Sequence, residues 1–130
     1  MKYPEKEKAG KLEYSLVLYR YKEEKKTISL SVGGMSMEEL YKQLAALARQ
    51  HGAQRLVQFG SRARGDNRYN SDVDLAVYGM PEGNRANFWM DCEDLPTLLK
   101  FDIVHITDGM NPAFIENIKK DGVTLYAAED

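Results

Sequence analysis

Apolar and polar residues follow patterns along the chain that predict a mixture of strands and helices. Residues 11–21 and 27–32 alternate with a period of two on either side of a charged segment, which predicts a β-hairpin. Apolar residues then recur at helical spacing from Ser36 to His51, and a serine followed three residues later by a glutamate is typical of a helix start. Short apolar runs predict four further strands at 55–59, 74–79, 101–106 and 123–127.

Two more helices are predicted between these strands. Residues 87–100 are helical in parts and are interrupted near Pro96, because proline has no amide hydrogen to continue a helix. Pro112 suits the first turn of a short helix that ends at Gly122. The order of elements predicts an α/β domain over residues 36–130, with a small mixed sheet flanked by helices and residues 1–35 as an N-terminal β-hairpin extension.

Length and composition narrow the class of protein. A chain of 130 residues with 43% hydrophobic residues forms one globular domain. No apolar run approaches the roughly 20 residues that a membrane span needs, and the first residues lack the hydrophobic stretch of a signal peptide. The single cysteine, Cys92, excludes an internal disulfide and favours a reducing cytoplasm. A net charge of −2 does not favour non-specific binding to nucleic acid.

The segment GSRARGDNRYNSDVDLAV, residues 60–77, contains the residues that suggest chemistry. Asp72 and Asp74 are separated by one residue at the start of a predicted strand, so their side chains share a face, about 7 Å apart at Cα. Two carboxylates this close repel each other unless a cation lies between them, and Mg²⁺ prefers oxygen ligands. A chance pair of acids on a solvated strand is the competing interpretation.

The other end of this segment suits an anion. Gly60 lets the backbone approach a phosphate, Ser61 offers a hydroxyl group, and Arg62 and Arg64 add positive charge. Each of these features is also common in solvated loops. Their combination with the acidic pair favours phosphates bridged to the protein by magnesium.

The motifs GSRARG and SDVDL resemble the signature of the DNA polymerase β-like nucleotidyltransferase superfamily, specifically its minimal nucleotidyltransferase branch. The resemblance runs without a gap from Leu56 to Val77 and continues more weakly through 94–106 and 117–127. It implies the polymerase β-like fold and the antitoxin-like subunit of a pair whose partner is a separate, all-helical HEPN-type protein. Residues 1–35 lie outside the family pattern.

The resemblance also implies a third carboxylate on a neighbouring strand, and Asp102 in the predicted strand 101–106 fits that place. From the residues alone, an acid among apolar strand residues is costly to bury, although a solvent-facing strand end is the alternative. The implied catalytic residues and ligands of two magnesium ions are Asp72, Asp74 and Asp102. The implied nucleotide-binding residues are Gly60, Ser61, Arg62 and Arg64.

The expected function is a Mg²⁺-dependent nucleotidyltransferase of the cytoplasm. It is expected to transfer a nucleoside monophosphate, AMP from ATP, to a hydroxyl group of the HEPN-type partner. Two alternatives stay open: nucleotidylation of a small molecule such as an aminoglycoside, and a non-catalytic nucleotide-binding module that masks its partner. Large apolar residues on both faces of 12–21 predict that the hairpin is covered on both sides, by the domain and by a second copy in a homodimer. Burial by the domain alone is the alternative.

Five further residues are predicted to be structural. His51 ends a helix, His105 lies in an apolar strand, and Cys92 resembles a small buried hydrophobe. Phe88 and Trp89 suit the core or a partner interface better than stacking on a base.

Overall fold

The computed structural model describes residues 35–129, and the predicted hairpin, with any dimer contact through it, lies outside them. Within these residues the predicted α/β order is confirmed, and no helix is long and apolar enough to cross a membrane. The elements are α1 Met37–Gln50, β1 Arg55–Phe59, α2 Ser61–Arg64, β2 Val73–Tyr78, a 3₁₀ turn Glu82–Asn84, α3 Arg85–Glu93, β3 Phe101–Ile106, α4 Pro112–Asp121 and β4 Val123–Ala127.

The four strands form one mixed sheet in the order β3–β2–β1–β4. Strand β1 runs antiparallel to β2 and to β4, whereas β2 runs parallel to β3. A parallel pair needs a crossover connection, and α3 supplies it between the end of β2 and the start of β3. The first residues of β2 and β3 therefore lie side by side, next to the last residue of β1.

Helix α1 begins and ends where the sequence predicts. Ser36 is the N-cap, and its side-chain oxygen accepts a hydrogen bond of 3.1 Å from the amide of Glu39. His51 is the C-cap, and its amide donates to the carbonyl oxygen of Leu47 at 3.0 Å. Between the caps, the helix buries one apolar stripe, which consists of Leu40, Leu44, Leu47 and Ala48.

Side-chain alternation in the strands divides the interior into two layers. The larger layer packs the sheet against α1 and α3, and its residues from β2 are Val73, Leu75 and Val77. The opposite face of the sheet is covered by α4 and has a smaller buried cluster of Val57, Ala76 and Ile118. Because side chains alternate along β2, Asp74 lies on the same face as Ala76, towards α4.

Helix α4 is positioned by its two ends, as the sequence predicts for Pro112 and Gly122. The Asn111 side chain accepts a hydrogen bond of 2.8 Å from the amide of Ala113 and caps the helix before Pro112. At the other end, a Cβ atom on Gly122 would collide with the carbonyl oxygen of Ile118 and with Val57. Glycine therefore permits the close turn from α4 into β4.

Two local features were not predicted. The turn after β1, expected to be a loop, forms the helical turn α2, in which the Gly60 carbonyl accepts from the amides of Ala63 and Arg64. The register between β1 and β4 shifts between Leu56 and Val57, so that consecutive residues of β4, Leu125 and Tyr126, both pack against the larger layer. Segments this short leave no clear period in the sequence.

The Ser36 cap generates a stability prediction. Ser36→Ala should lower the free energy of unfolding by about 1 kcal/mol, because the Glu39 amide loses its side-chain acceptor. Urea unfolding followed by circular dichroism measures this difference. Ser36→Asp retains an acceptor at the positive end of the helix and is the control, with stability close to the wild type. Equal stability of Ser36→Ala and the wild type would contradict the assigned cap.

Candidate active site

The predicted acidic pair lies at the beginning of β2, on the face of the sheet that α4 covers. Asp72 precedes the strand and is exposed, whereas Asp74 is the second residue of the strand and is half-buried. Between them, Val73 points the other way and is fully buried in the larger layer. The alternation thus gives Asp72 and Asp74 a common face.

Asp102 is the neighbour of Asp74 across the two parallel strands. The register of β2 and β3 pairs Asp74 with Asp102 and Ala76 with Val104. Adjacent strands lie about 4.8 Å apart, so paired residues on one face are close neighbours. The sequence predicted a third carboxylate on a neighbouring strand, and the register adds that Asp102 lies directly beside Asp74.

The electrostatics of Asp74 reflect this crowding. Burial raises the pKa of the Asp74 carboxyl above its ordinary value, and the negative charges of Asp102 and Asp72 raise it further. The positive charge of Arg64 opposes this shift. Asp74 is therefore within electrostatic reach of both other predicted acids and of one predicted arginine.

Gly60 brings the turn after β1 against the Asp74 carboxylate. Phe59, the last residue of β1, pairs with Asp74, and Gly60 follows with a φ of 78°, in the region that favours glycine. A Cβ atom at Gly60 would collide with Oδ2 of Asp74. Any other residue would therefore push the turn and the carboxylate apart. The next residue, Ser61, is the first of α2 and is half-buried.

Arg64 is the predicted arginine whose charge reaches the acids. Its guanidinium contacts Asp66 at 3.2 Å and Asp121, at the end of α4, at 3.6 Å. The hydrogen bond and charge of Asp66 raise the pKa of Arg64, and Asp121 adds to the shift. Together with its effect on Asp74, these contacts place Arg64 between α2, the end of α4 and the acidic face.

Arg62 points elsewhere and binds the backbone of the loop that precedes β2. Its Nε donates to the carbonyl oxygen of Ser71 at 3.0 Å, and its Nη2 donates to the carbonyl oxygen of Tyr69 at 2.9 Å. Its Nη1 lies 4.0 Å from the sulfur of Met37 in α1. The two arginines, equivalent by sequence, therefore have different surroundings.

The donor chemistry of the acidic face fits magnesium. Three carboxylates offer hard oxygen ligands, and a cation would offset the repulsion that raises the Asp74 pKa. Across residues 35–129, the side chains do not converge into a group of three or more His, Cys, Asp or Glu residues with metal-binding geometry. The fit therefore rests on residue type, shared face and electrostatics.

The residues predicted to be structural have structural surroundings. His51 caps α1, and its Nε2 lies 2.7 Å from Oδ2 of Asp91 in α3, which ties the two helices together. Cys92 is fully buried, and burial raises the pKa of its thiol. Burial, followed by the charge of Arg85, lowers the pKa of His105.

The aromatic pair in α3 divides between the core and the surface. Phe88 is fully buried in the larger layer, as predicted for a core residue. Trp89 is 51% exposed, and the adjacent Met90 is also exposed. A core role is therefore wrong for Trp89, and its predicted place in a partner interface stays a prediction.

Sequence reasoning missed two acids that fix Arg64. Asp66 follows α2, and Asp121 is the last residue of α4. Asp121 lies 57 positions after Arg64 in the chain, and no local pattern connects them. The only local signal is Gly122, whose tight turn fixes where α4 ends.

Comparison with known proteins agrees with this fold and with the sequence motifs. The profile of the family described as "Polymerase beta, Nucleotidyltransferase" matches residues 42–130. A solved structure of a candidate minimal nucleotidyltransferase is 32% identical in sequence and has a TM-score of 0.55. The similarity covers 68% of this chain and 95% of that chain.

Two structures of toxin–antitoxin complexes share the fold at lower identity. One, a toxin–antitoxin with AMP-PNP, is 21% identical, covers 69% of this chain and 74% of that chain, and has a TM-score of 0.54. The other is the tri-AMPylated Shewanella oneidensis HEPN toxin in complex with MNT antitoxin. It is 15% identical, covers 72% of this chain and 74% of that chain, and has a TM-score of 0.53.

Among proteins of curated function, none matches the chain in sequence. The family assignment instead rests on the profile, which spans more than half of the chain, and on the 32% identical structure. The mixed four-stranded sheet with flanking helices has the architecture that the resemblance implied. The chain belongs to the polymerase β-type nucleotidyltransferase family and is a nucleotidyltransferase.

Proposed function

We propose that this nucleotidyltransferase is magnesium-dependent and transfers AMP from ATP to a hydroxyl group of a helical HEPN-type partner protein. The observation that carries the proposal is the crowding of Asp72 and Asp102 around Asp74, beside the turn at Gly60. Neighbouring carboxylates repel each other and destabilise a sheet. A cation that binds together with the phosphates of a nucleotide explains why they are grouped.

The three aspartates would hold the metal, and the family resemblance implies two ions. Bound magnesium would neutralise charge on the phosphates and on the oxygens that become more negative during transfer. Asp74 gains most from a bound cation, because it is half-buried and the other two acids raise its pKa. Its carboxylate also lies against the glycine turn, where the phosphates would bind.

The turn after β1 would hold the triphosphate. The backbone at Gly60 and the hydroxyl of Ser61 lie at the end of β1, next to Asp74. Arg64 would support the phosphates with positive charge, since its guanidinium is near enough to Asp74 to oppose the rise in that pKa. The phosphate contact predicted for Arg62 stays a prediction. In this structure its guanidinium donates to two loop carbonyls instead.

The reaction is an in-line displacement at the α-phosphorus of ATP. The oxygen of the acceptor hydroxyl forms a bond to the α-phosphorus, and the bond from that phosphorus to the pyrophosphate oxygen breaks. Pyrophosphate leaves with the bonding electrons, and AMP stays on the acceptor. Asp102 would either accept the hydroxyl proton itself or serve as a metal ligand while solvent water accepts that proton. Both roles suit an exposed carboxylate beside Asp74. Positioning and charge neutralisation account for most of the catalysis in such transfers.

Two structural relatives support the choice of adenine nucleotide and protein acceptor. One is a toxin–antitoxin with AMP-PNP, and the other is a tri-AMPylated HEPN toxin in complex with MNT antitoxin. These ligands and partners belong to the relatives, which share the fold with this chain. They make ATP and a HEPN-type protein the first substrates to test.

The deciding experiment incubates the purified chain with magnesium, the candidate HEPN-type protein and ATP labelled at either the α- or the γ-phosphate. Label from α-labelled ATP should reach the partner, whereas label from γ-labelled ATP should leave with pyrophosphate. Transfer from the γ-position would indicate a kinase instead. Label found only on an aminoglycoside would favour small-molecule nucleotidylation. ATP binding without any transfer would favour a masking module.

The acidic pair gives the first prediction for catalysis. The double variant Asp72→Asn/Asp74→Asn should lose transfer by several orders of magnitude, because two of three carboxylate ligands become neutral. Transfer assays measure the loss, and circular dichroism should show that the fold is retained. The matched control is Asp94→Asn/Asp108→Asn, which removes the same charge from two exposed aspartates and should transfer normally. Full transfer by the first variant would reject the assigned metal site.

Asp74 alone gives a prediction for stability in metal-free buffer. Its pKa is raised in the folded state, so the charged carboxylate costs stability above that pKa and the cost disappears below the ordinary value of 3.8. Asp74→Asn should therefore be more stable than the wild type at neutral pH, by about 0.2–1 kcal/mol, the scale of cross-strand charge pairs. The difference should shrink as the pH falls towards 3.

Urea unfolding with a chelator measures this effect, and Asp108→Asn is the control for loss of one exposed charge. Added magnesium should then stabilise the wild type and not Asp74→Asn, since a ligand that binds the folded state raises its stability. A less stable Asp74→Asn at neutral pH would show that the carboxylate has a structural partner.

A further inference from the structure

The loop between α2 and β2 is held by the forked side chain of Arg62. Two donors of one guanidinium bind two carbonyl groups that lie two residues apart, Tyr69 O at 2.9 Å and Ser71 O at 3.0 Å. Hydrogen bonds from a charged donor are among the stronger ones in proteins, and a planar fork fixes direction as well as distance. The third nitrogen reaches the sulfur of Met37 and so connects the loop with the first turn of α1.

This loop ends at Asp72, whose backbone is fixed on both sides. Before it, the carbonyl of Ser71 is held by Arg62. After it, the amide of Val73, the first residue of β2, donates to the carbonyl of Lys100 at 2.9 Å. Lys100 directly precedes β3, so this bond joins the starts of the two strands. Asp72 itself is exposed and precedes the regular strand. Its position therefore depends on these two backbone contacts.

The loop also closes on itself immediately before Asp72. The Ser71 side chain accepts a hydrogen bond of 2.9 Å from the amide of Arg68, and the Ser71 amide donates to the Arg68 carbonyl at 3.1 Å. These bonds shape a turn, but they do not attach it to the domain. Arg62 makes that attachment, because its own backbone belongs to α2.

We propose that Arg62 is a positioning residue that holds the loop 66–71 so that Asp72 stays beside Asp74 on the acidic face. The proposal rests on the proposed function for its catalytic consequence, and it deepens the assignment of that site. It gives Arg62 a role different from a phosphate contact, because the guanidinium is directed at backbone carbonyls. Support of a carboxylate through its surroundings typically contributes 10–100-fold to metal affinity or activity.

Hydrogen–deuterium exchange tests the attachment without any reaction. In Arg62→Gln, the amides of Arg68 and Ser71 should exchange about tenfold faster or more, because two charged hydrogen bonds to the loop are lost. Amides in the middle of β2 should exchange as in the wild type. The control Arg68→Gln also removes one positive charge, but from the loop itself, and its loop exchange should be unchanged. Unchanged exchange in Arg62→Gln would overturn the proposal.

Steady-state kinetics test the consequence for Asp72. Arg62→Gln should lower kcat about 10–100-fold, with a KM for ATP within about twofold of the wild type. It should also weaken binding of Mn²⁺, used alone as a spectroscopic probe, by a similar factor. A raised KM for ATP with unchanged kcat and unchanged Mn²⁺ affinity would assign Arg62 to the nucleotide and overturn the proposal.

A conservative variant separates positioning from simple loss of folding. Arg62→Lys retains the charge and the aliphatic stem but cannot direct two parallel donors at two carbonyls. It should fold, exchange its loop amides at rates between those of wild type and Arg62→Gln, and recover part of kcat. Loop exchange rates and a kcat equal to those of Arg62→Gln would also support the proposal, because they would show that the two parallel donors of arginine are required. Full wild-type behaviour of Arg62→Lys would overturn it. Because exchange is measured without substrate, it tests the attachment of the loop by Arg62 separately from the proposed AMP transfer. Either hypothesis can therefore be rejected while the other stands.

Discussion

The crowding of Asp74 and Asp102 on adjacent parallel strands is the constraint on which the site depends. Their register is set by the backbone ladder of β2 and β3, so the carboxylates stay neighbours whatever side-chain rotamers they adopt. Two neighbouring residues accommodate this fixed pair of carboxylates. Only glycine fits at position 60, because a Cβ atom there would collide with the Asp74 carboxylate. Arg64 supplies a nearby positive charge that partly offsets the repulsion. Each residue also has a second role, because Gly60 adopts a positive φ in the turn and Arg64 pairs with Asp66 and Asp121.

The sheet tolerates this repulsion because the acids lie on one face and most of the buried apolar side chains lie on the other. The face towards α1 and α3 buries most of the large apolar side chains, with Phe88 and Leu75 among those that are fully inaccessible. The face towards α4 has a smaller buried cluster and bears the acids at the end where β2 and β3 begin. Alternation along the strand makes this separation possible, because Val73 can stabilise the core while Asp72 and Asp74 point away from it. Residues of the core thus alternate with the acids of the proposed metal site along this part of the chain.

Much of this arrangement could be predicted from the sequence, and the exceptions have physical causes. The bounds of β1, β3 and β4 follow directly from apolar runs between turn residues. The cap at Ser36 and the helix start at Pro112 follow from local hydrogen-bond and dihedral preferences. The pairing of Asp74 with Asp102 could not be predicted to the residue, because register depends on how α3 returns the chain to the sheet. The contact of Arg64 with Asp121 joins α2 to the far end of α4, and only the tertiary fold brings them together.

The divergence of the two arginines has a more local cause. In a loop, Arg62 and Arg64 could both turn towards a phosphate, and the sequence offers no reason to separate them. Residues 61–64 instead form a helical turn, in which side chains two positions apart point to nearly opposite sides. One arginine must then face the loop carbonyls while the other faces Asp66 and Asp121. The helical turn is closed by the carbonyl of Gly60, the same residue whose missing Cβ admits the Asp74 carboxylate. Gly60 therefore both leaves room for the Asp74 carboxylate and begins the helical turn that separates the two arginines.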